Sequence, residues 1–522
     1  MSTPTLIQRT SRAAFWNAAL FPLKALVGLA FTVVVARRFG LDAGIYNTAM
    51  GVVATVVMFT SLGIPTSLTK FLPEVQVRSG AAAVVVLLRR VAAYRLLLAA
   101  AVLVPLNLLS PALAGWLDLG TEGVFILRSA SVLIATRALF DLCIRSLNAF
   151  FSHRESNLLD LLQGILDFVL ALTAVALGFS IGGVFGMIVA GSAVAAAVAV
   201  LTLRRALGGL ESDARGSAFA PADASVTRSA VDAQGARFAA FALFTYLFEL
   251  SVYFSDKSFA APALAVILGS DEVAIFWYGF NLSFMSVGLM VASFRGVYRP
   301  MFAHLRARND PRQLQRAFAG VSKAQLVVLM PAAVGLFVLM PDYIPLLYGA
   351  EFLPSVPIAQ TFVVFLYGAT AFNLGMIWLS IDERYRVVLW TQGIQVVAAP
   401  FFLIAAGNQG LLAAAFVFGG ARPLVNLIAY LVCRRDYGFR FPWRFGARVG
   451  AVALVMGAVL VVARRLLETS VPQAVGLTVL GALVYLAGLR VARILGDEEI
   501  DLLDRSDVPG KRLVLAWLAP GR

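Results

Sequence analysis

Several ionisable side chains sit inside runs that are otherwise apolar, and their spacing sorts them into groups. Asn17 and Lys24 lie seven residues apart, on one face of a helix. Arg137, Asp141 and Arg145 follow one another at steps of four, and Asp160, Gln163 and Asp167 form a second stripe shortly after. Tyr246, Glu249, Tyr253 and Asp256 recur at steps of three and four, with Lys257 adjacent; Asn281, Ser283 and Ser286 add a weaker polar patch. A charge near the centre of a bilayer costs about 2.5–3.5 kcal/mol on insertion scales, so each needs a partner, a water-filled cavity or a task. Lys24 offers a compact cation with three donors, suited to an anionic group. Glu249 and Asp141 have the chemistry to carry a coupling proton or cation.

Plainer roles compete with these. Lys24 could snorkel or pair with a carboxylate. Asp160 and Asp167 could be rungs of an interhelical ion-pair ladder, with Arg137 either a rung or a ligand contact. Glu249 could pair with Lys24, carry a proton, or be locked to Lys257. Arg128 lies on the opposite helix face from Arg137, nearer the outside, where a ligand or lipid headgroups could meet it. Arg95 and Arg422 also fall within spans.

The elements that must position these groups are membrane helices. The chain is 60% hydrophobic and 14% charged, against roughly 25% charged for a soluble domain, and its mean hydropathy is +0.84. About fourteen stretches have spanning length: 14–36, 44–68, 91–109, 124–147, 157–177, 182–203, 237–268, 273–294, 321–340, 357–381, 385–406, 411–433, 448–462 and 471–491. The seventh is too long to cross untilted, which suggests a kink near Pro262. Arg and Lys fall almost entirely in every second gap, which places both termini in the cytoplasm of a multi-pass inner-membrane protein. The net charge of +14 is therefore an orientation signal and not a nucleic-acid footprint. Arg9 and Arg12 lead into the first span with no small-residue cleavage site, so no cleavable signal is expected.

Other chemistry finds no support. Cys143 and Cys433 are lone thiols, and His153 and His304 lack ligand-spaced companions, so neither disulfide nor metal site is expected. No phosphate-binding glycine loop or nucleophile elbow occurs, and the loops are too short for a catalytic domain. The chain reads as a non-enzyme without cofactors.

A polar segment at 204–236 divides the ladder. At an offset of about 229 residues, Gly40, Gly164, Gly178 and Gly191 overlie Gly269, Gly393, Gly407 and Gly420. This suggests an N-terminal lobe at 1–203, a cytoplasmic linker at 204–236, and a C-terminal lobe at 237–434. An extra helix pair at 435–492 and a cytoplasmic tail at 493–522 complete the chain. Six spans separate the copies, so both keep one orientation, with a cleft expected between the lobes.

Local motifs agree with this plan: Ala36-Arg37-Arg38-Phe39-Gly40-Leu41-Asp42-Ala43-Gly44-Ile45-Tyr46, Leu62-Gly63-Ile64-Pro65 and Lys70-Phe71-Leu72-Pro73-Glu74. Ser255-Asp256-Lys257, Leu346-Leu347-Tyr348-Gly349-Ala350-Glu351-Phe352 and the turn at 380–386 continue the series. In their order and spacing they resemble the polysaccharide transporter branch of the MOP flippase superfamily, the Wzx-type flippases. The resemblance covers nearly the whole chain. It implies two pseudo-symmetric six-helix lobes plus a helix pair, and export of a polyprenyl-pyrophosphate-linked oligosaccharide to the outer leaflet by alternating access. It further implies Lys24 and Arg137 as phosphate contacts, with Asn17, Arg128, Tyr246, Glu249, Tyr253, Lys257 and Asn281 in the cavity. Glu249 or Asp141 would couple to H+ or Na+. Membrane lipids, a polysaccharide polymerase and glycosyltransferases are the implied partners. MurJ-type lipid II flippases differ in an arginine-rich first span, and some multidrug-and-toxin extruders carry an acid where this chain has Lys24. A cation-coupled exporter of the same superfamily, or a membrane enzyme or scaffold of polysaccharide assembly, remains an alternative.

Overall fold

The apolar runs fold as helices. The computed structural model describes residues 6–150, 152–216, 235–308, 310–467, 470–494 and 496, and among them there is no strand. Most of the linker (217–234) and of the tail (497–522) lies outside the described residues. In chain order the helices are α1 (Leu6–Phe39), α2 (Ala43–Ser61), α3 (Ile64–Leu108), α4 (Ser110–Trp116), α5 (Gly123–Ala149), α6 (His153–Ala176) and α7 (Ile181–Gly216). There follow α8 (Gly235–Tyr253), α9 (Lys257–Ile267), α10 (Ser270–Arg308), α11 (Pro311–Leu347), α12 (Ser355–Ala371) and α13 (Asn373–Ile381). The last are α14 (Tyr385–Gln409), α15 (Leu411–Tyr437), α16 (Trp443–Arg465) and α17 (Val471–Val491).

Eleven described helical segments are long and apolar enough to cross a membrane, and thirteen if the bent pairs α8–α9 and α12–α13 each make one span. Fourteen were expected. One of the eleven, Pro22–Ser61, runs for 40 residues. At about 1.5 Å per residue it reaches roughly 60 Å, twice a bilayer core of about 30 Å. It takes in 22–36 of the stretch read as the first span and 44–61 of the second, joined by a 3-10 turn at Gly40–Asp42.

The helices break where local chemistry allows, and not always where hydropathy suggests. The second span was read through to residue 68, yet α2 ends at Ser61. Leu62 (φ +47°) and Gly63 (φ +68°) are both left-handed, and α3 restarts with Pro65 in its first turn. A proline there forfeits no hydrogen bond, because the first helical N–H groups are unpaired anyway. The long seventh span breaks over 254–256 rather than near Pro262, with α8 and α9 bent by 51°. Asp256 has extended backbone, and its carboxylate accepts from Ser258 N at 2.9 Å and Ser258 Oγ at 2.6 Å, capping α9. Such a cap is worth about 1 kcal/mol. Pro262 stays inside α9. The carbonyl of Ser258, which loses its helical donor to the proline, lies 3.4 Å from Thr55 Oγ1 of α2, whose own hydroxyl is closer to Gly51 O at 2.7 Å. The tenth span also bends, by 43° between α12 and α13. At that bend Asn426 Nδ2 donates to the Ala369 carbonyl at 2.8 Å.

The chain forms two compact units, Met1–Tyr278 with Gln392–Phe418, and Gly279–Thr391 with Gly419–Arg522. In the first, α2, α5 and α7 share a core of Tyr46, Val53, Leu133, Ile134, Phe185 and Ile188. In the second, Val449, Met456 and Leu460 of α16 and Leu477 and Tyr485 of α17 pack with Leu339 of α11. Gly457 admits Val334, and Gly488 admits Val452, so these helices approach closely. Many large apolar side chains instead point outward, among them Leu108, Trp390 and Val491. In water such a surface would aggregate; in a bilayer it is the solvated face. Of the paired glycines, Gly40 (φ +57°) and Gly269 (φ +107°) share left-handed backbone just ahead of α2 and α10.

Candidate ligand cavity in the first unit

The helices α5 and α6 form an antiparallel hairpin, closed where Ser156 Oγ donates to Asn148 Oδ1 at 2.7 Å. Counting outward from that turn, Arg137 on α5 and Asp167 on α6 stand at nearly equal depth. Arg137 Nη2 donates to Asp167 Oδ2 at 3.1 Å. Gln163 lies against the same guanidinium, its amide oxygen accepting at 3.0–3.1 Å when turned toward it. One helical turn and more toward the hairpin end, Lys24 of α1 reaches across. Its Nζ donates to Asn157 Oδ1 at 2.8 Å and to Asp160 Oδ2 at 3.2 Å. Between these two levels lies a cavity of about 470 Å³, lined by Lys24, Arg137, Asp141, Asp160, Gln163 and Asp167, with Phe140, Ile144 and Gly164 as its apolar wall.

Asp141 joins the cavity to a second polar layer. It accepts from Arg145 Nε at 3.3 Å and from Arg95 Nη1 of α3 at 3.4 Å. Arg95 is only 3% exposed; Nη1 also donates to the Ala138 carbonyl at 3.1 Å, while Nε and Nη2 have no partner. Such a guanidinium is costly to bury, and the Asp141 carboxylate offsets part of that cost. Glu249 of α8 lies in the field of Arg95, Asp141 and Arg145. Its Oε1 accepts from Thr66 Oγ1 of α3 at 2.6 Å.

The two stripes on α5 and α6 do face one cavity, but the partners differ from several expectations. Arg137 and Asp167 do form an α5–α6 rung, whereas Asp160 is turned to α1 and Asp141 to α3. Lys24 pairs with Asn157 and Asp160 and not with Glu249. Lys257 sits with Nζ 4.0 Å from the Trp277 ring centroid, while Glu249 accepts from Thr66. Arg128 is exposed, with Nε 3.4 Å from Ser110 Oγ, away from the cavity. The Tyr253 hydroxyl bonds Thr55 at 2.6 Å amid Phe59, Phe254 and Phe259. Tyr246 lies on α8 beside Gly63. Asn281 belongs to the second unit, where it is buried and donates to Met285 Sδ at 3.3 Å. Asn17 is on α1, but its side chain lies outside the described residues. Asn157 and Thr66 went unnoticed because an isolated Asn or Thr carries no charge to flag it.

Set beside known proteins, the chain shows its likeness mainly through its fold. Residues 235–357 match the sequence family described as "Polysaccharide biosynthesis protein". No curated protein matches in sequence. Among solved structures, the lipid II flippase MurJ in an inward closed conformation superimposes with a TM-score of 0.69 at 13% identity, over 92% of this chain and 98% of that one. An inward-facing multidrug resistance MATE transporter of the MOP superfamily gives 0.58 at 16% identity, over 81% and 98%. A MATE protein in complex with MaD3S gives 0.53 at 15%, over 83% and 96%. Residues 235–357 thus resemble a polysaccharide biosynthesis family, and the chain as a whole shares the fold of the MurJ and MATE structures.

Proposed function

We propose that the chain flips a polyprenyl-pyrophosphate-linked oligosaccharide from the cytoplasmic to the outer leaflet of the inner membrane by alternating access, with both termini cytoplasmic. The lobes at 1–203 and 237–434 would be the moving bodies, and the pair at 435–492 a groove for the lipid tail. The observation that carries this reading is the polar cavity beside Lys24 and Arg137. An ionic pocket let into an apolar helical bundle suits a cargo with a polar head and a greasy anchor. The lipid II flippase fold and the polysaccharide family match support it. Depleting the protein is expected to remove lipid-linked oligosaccharide from the outer leaflet of spheroplasts, measured by lectin or enzymatic accessibility, while the total lipid-linked pool persists. An unchanged outer-leaflet pool would sink the proposal. Changed resistance to cationic drugs, with normal surface polysaccharide, would favour the exporter alternative.

Glu249 and Asp141 are the proposed coupling carboxylates. Glutamine at 249 keeps an oxygen for Thr66 to donate to but cannot exchange a proton. In reconstituted vesicles, Glu249→Gln is expected to make flipping insensitive to an imposed pH gradient. Full retention of gradient dependence would remove Glu249 from that role.

A further inference from the structure

We propose that the cavity between α1, α5 and α6 binds a sugar ring through its vicinal hydroxyls, and that it is not the seat of the pyrophosphate; this rests on the flippase reading above. Both cations in the cavity are already engaged, Lys24 by Asp160 and Arg137 by Asp167. The third carboxylate, Asp141, faces the same space. A pyrophosphate brings several negative charges and only acceptors at neutral pH. It would have to displace one carboxylate and then lie beside it, which like charges oppose.

One atom argues for a donor instead. Asp167 Oδ1 is buried with no hydrogen-bond partner, while Oδ2 holds Arg137. A buried acceptor left unmet is unfavourable by about 1–3 kcal/mol, and a ligand hydroxyl removes that penalty once the carboxylate turns this oxygen toward the cavity. Vicinal hydroxyls fit the pair as a whole: one donates to Asp167 Oδ1, and its neighbour accepts from Arg137 or Lys24. Phe140 offers an apolar face for the C–H side of a ring. The volume of about 470 Å³ falls within the range of small-ligand pockets, about 300–1,000 Å³. Because the ion pairs stay intact, binding is weak and reversible, as a carrier requires.

The test uses the full chain in detergent micelles and reads ligand-induced shifts in thermal unfolding. The probes are methyl hexosides and neutral disaccharides, inorganic pyrophosphate, and sodium chloride. At least one sugar is expected to raise the melting temperature. Asp167→Ala should weaken that sugar about tenfold, the loss of one charge-assisted hydrogen bond. Gly164→Leu, which narrows the cavity while keeping its polar lining, should abolish the shift. If one variant misfolds, the other still decides. Pyrophosphate or sodium shifts that vanish in these variants would overturn the proposal, as would the absence of any sugar shift in the unmodified chain. Sugar binding with an unchanged outer-leaflet pool on depletion would defeat the flippase reading alone; the reverse pattern would defeat this inference alone.

Discussion

Gly63→Ala is expected to destabilise the chain far more than Gly178→Ala, although the two glycines have nearly the same φ. Their φ values are +68° and +76°. The left-handed penalty, about 1–2 kcal/mol for an alanine, is therefore common to both and cancels in the comparison. What differs is the space a Cβ would enter. At Gly178 nothing lies within 4 Å. At Gly63 the Cβ would run into the carbonyl oxygen of Ala242 and come within 2.6 Å of Tyr246 N, both backbone atoms of α8. Backbone in a packed helix cannot swing aside as a side-chain tip can, so α3 and α8 must separate. That separation would also stretch the Thr66–Glu249 hydrogen bond, which spans the same two helices. Melting temperatures of the two variants in one detergent check this. Equal losses would mean that α3 and α8 do not meet at Gly63.

The helices and the charged stripes could be read directly from the sequence; the pairing across helices could not. Hydropathy and the Arg/Lys alternation report only which residues face lipid and which loops face the cytoplasm. They carry no information on which non-consecutive helices touch. The hairpin rung Arg137–Asp167 was accessible because α5 and α6 are consecutive and antiparallel. Lys24–Asn157, Arg95–Asp141 and Glu249–Thr66 join α1 to α6, α3 to α5 and α8 to α3, and each depends on helix order and rotation. The break at Asp256 was missed for a different reason. Pro262 is the stronger breaker by composition, but α9 carries it without a break. The break falls instead where Asp256 and Ser258 form a cap, a local signal overshadowed by the proline. Leu62-Gly63-Ile64-Pro65, by contrast, was noticed as a motif without being recognised as the end of a helix.

Arg137→Met should impair both folding and transport, and adding Asp167→Leu should restore only the first. The pair is partly buried, with 29% and 19% of the two side chains exposed. Removing Arg137 alone strands Asp167 with Oδ1 already unpartnered and Oδ2 newly so. Breaking a buried pair by deleting one member costs about 3 kcal/mol, at the lower end for such pairs because this one faces a cavity. Replacing both members by apolar side chains of similar size removes the stranded charge, and such double replacements are often neutral for stability. Gln163 would still lose its guanidinium partner, so recovery should be large but incomplete. Transport separates the two roles that an interhelical ion pair can have. If Arg137–Asp167 only holds α5 to α6, the double variant will fold and flip cargo normally. If the pair is also the surface that the cargo touches, the double variant will fold and flip poorly, because methionine and leucine offer neither donor nor acceptor. The measurements are melting temperature in detergent and outer-leaflet oligosaccharide at matched membrane levels of protein. A stable double variant with undiminished flipping would reduce the pair to scaffolding, and with it the claim that this cavity is where the cargo's polar part is recognised.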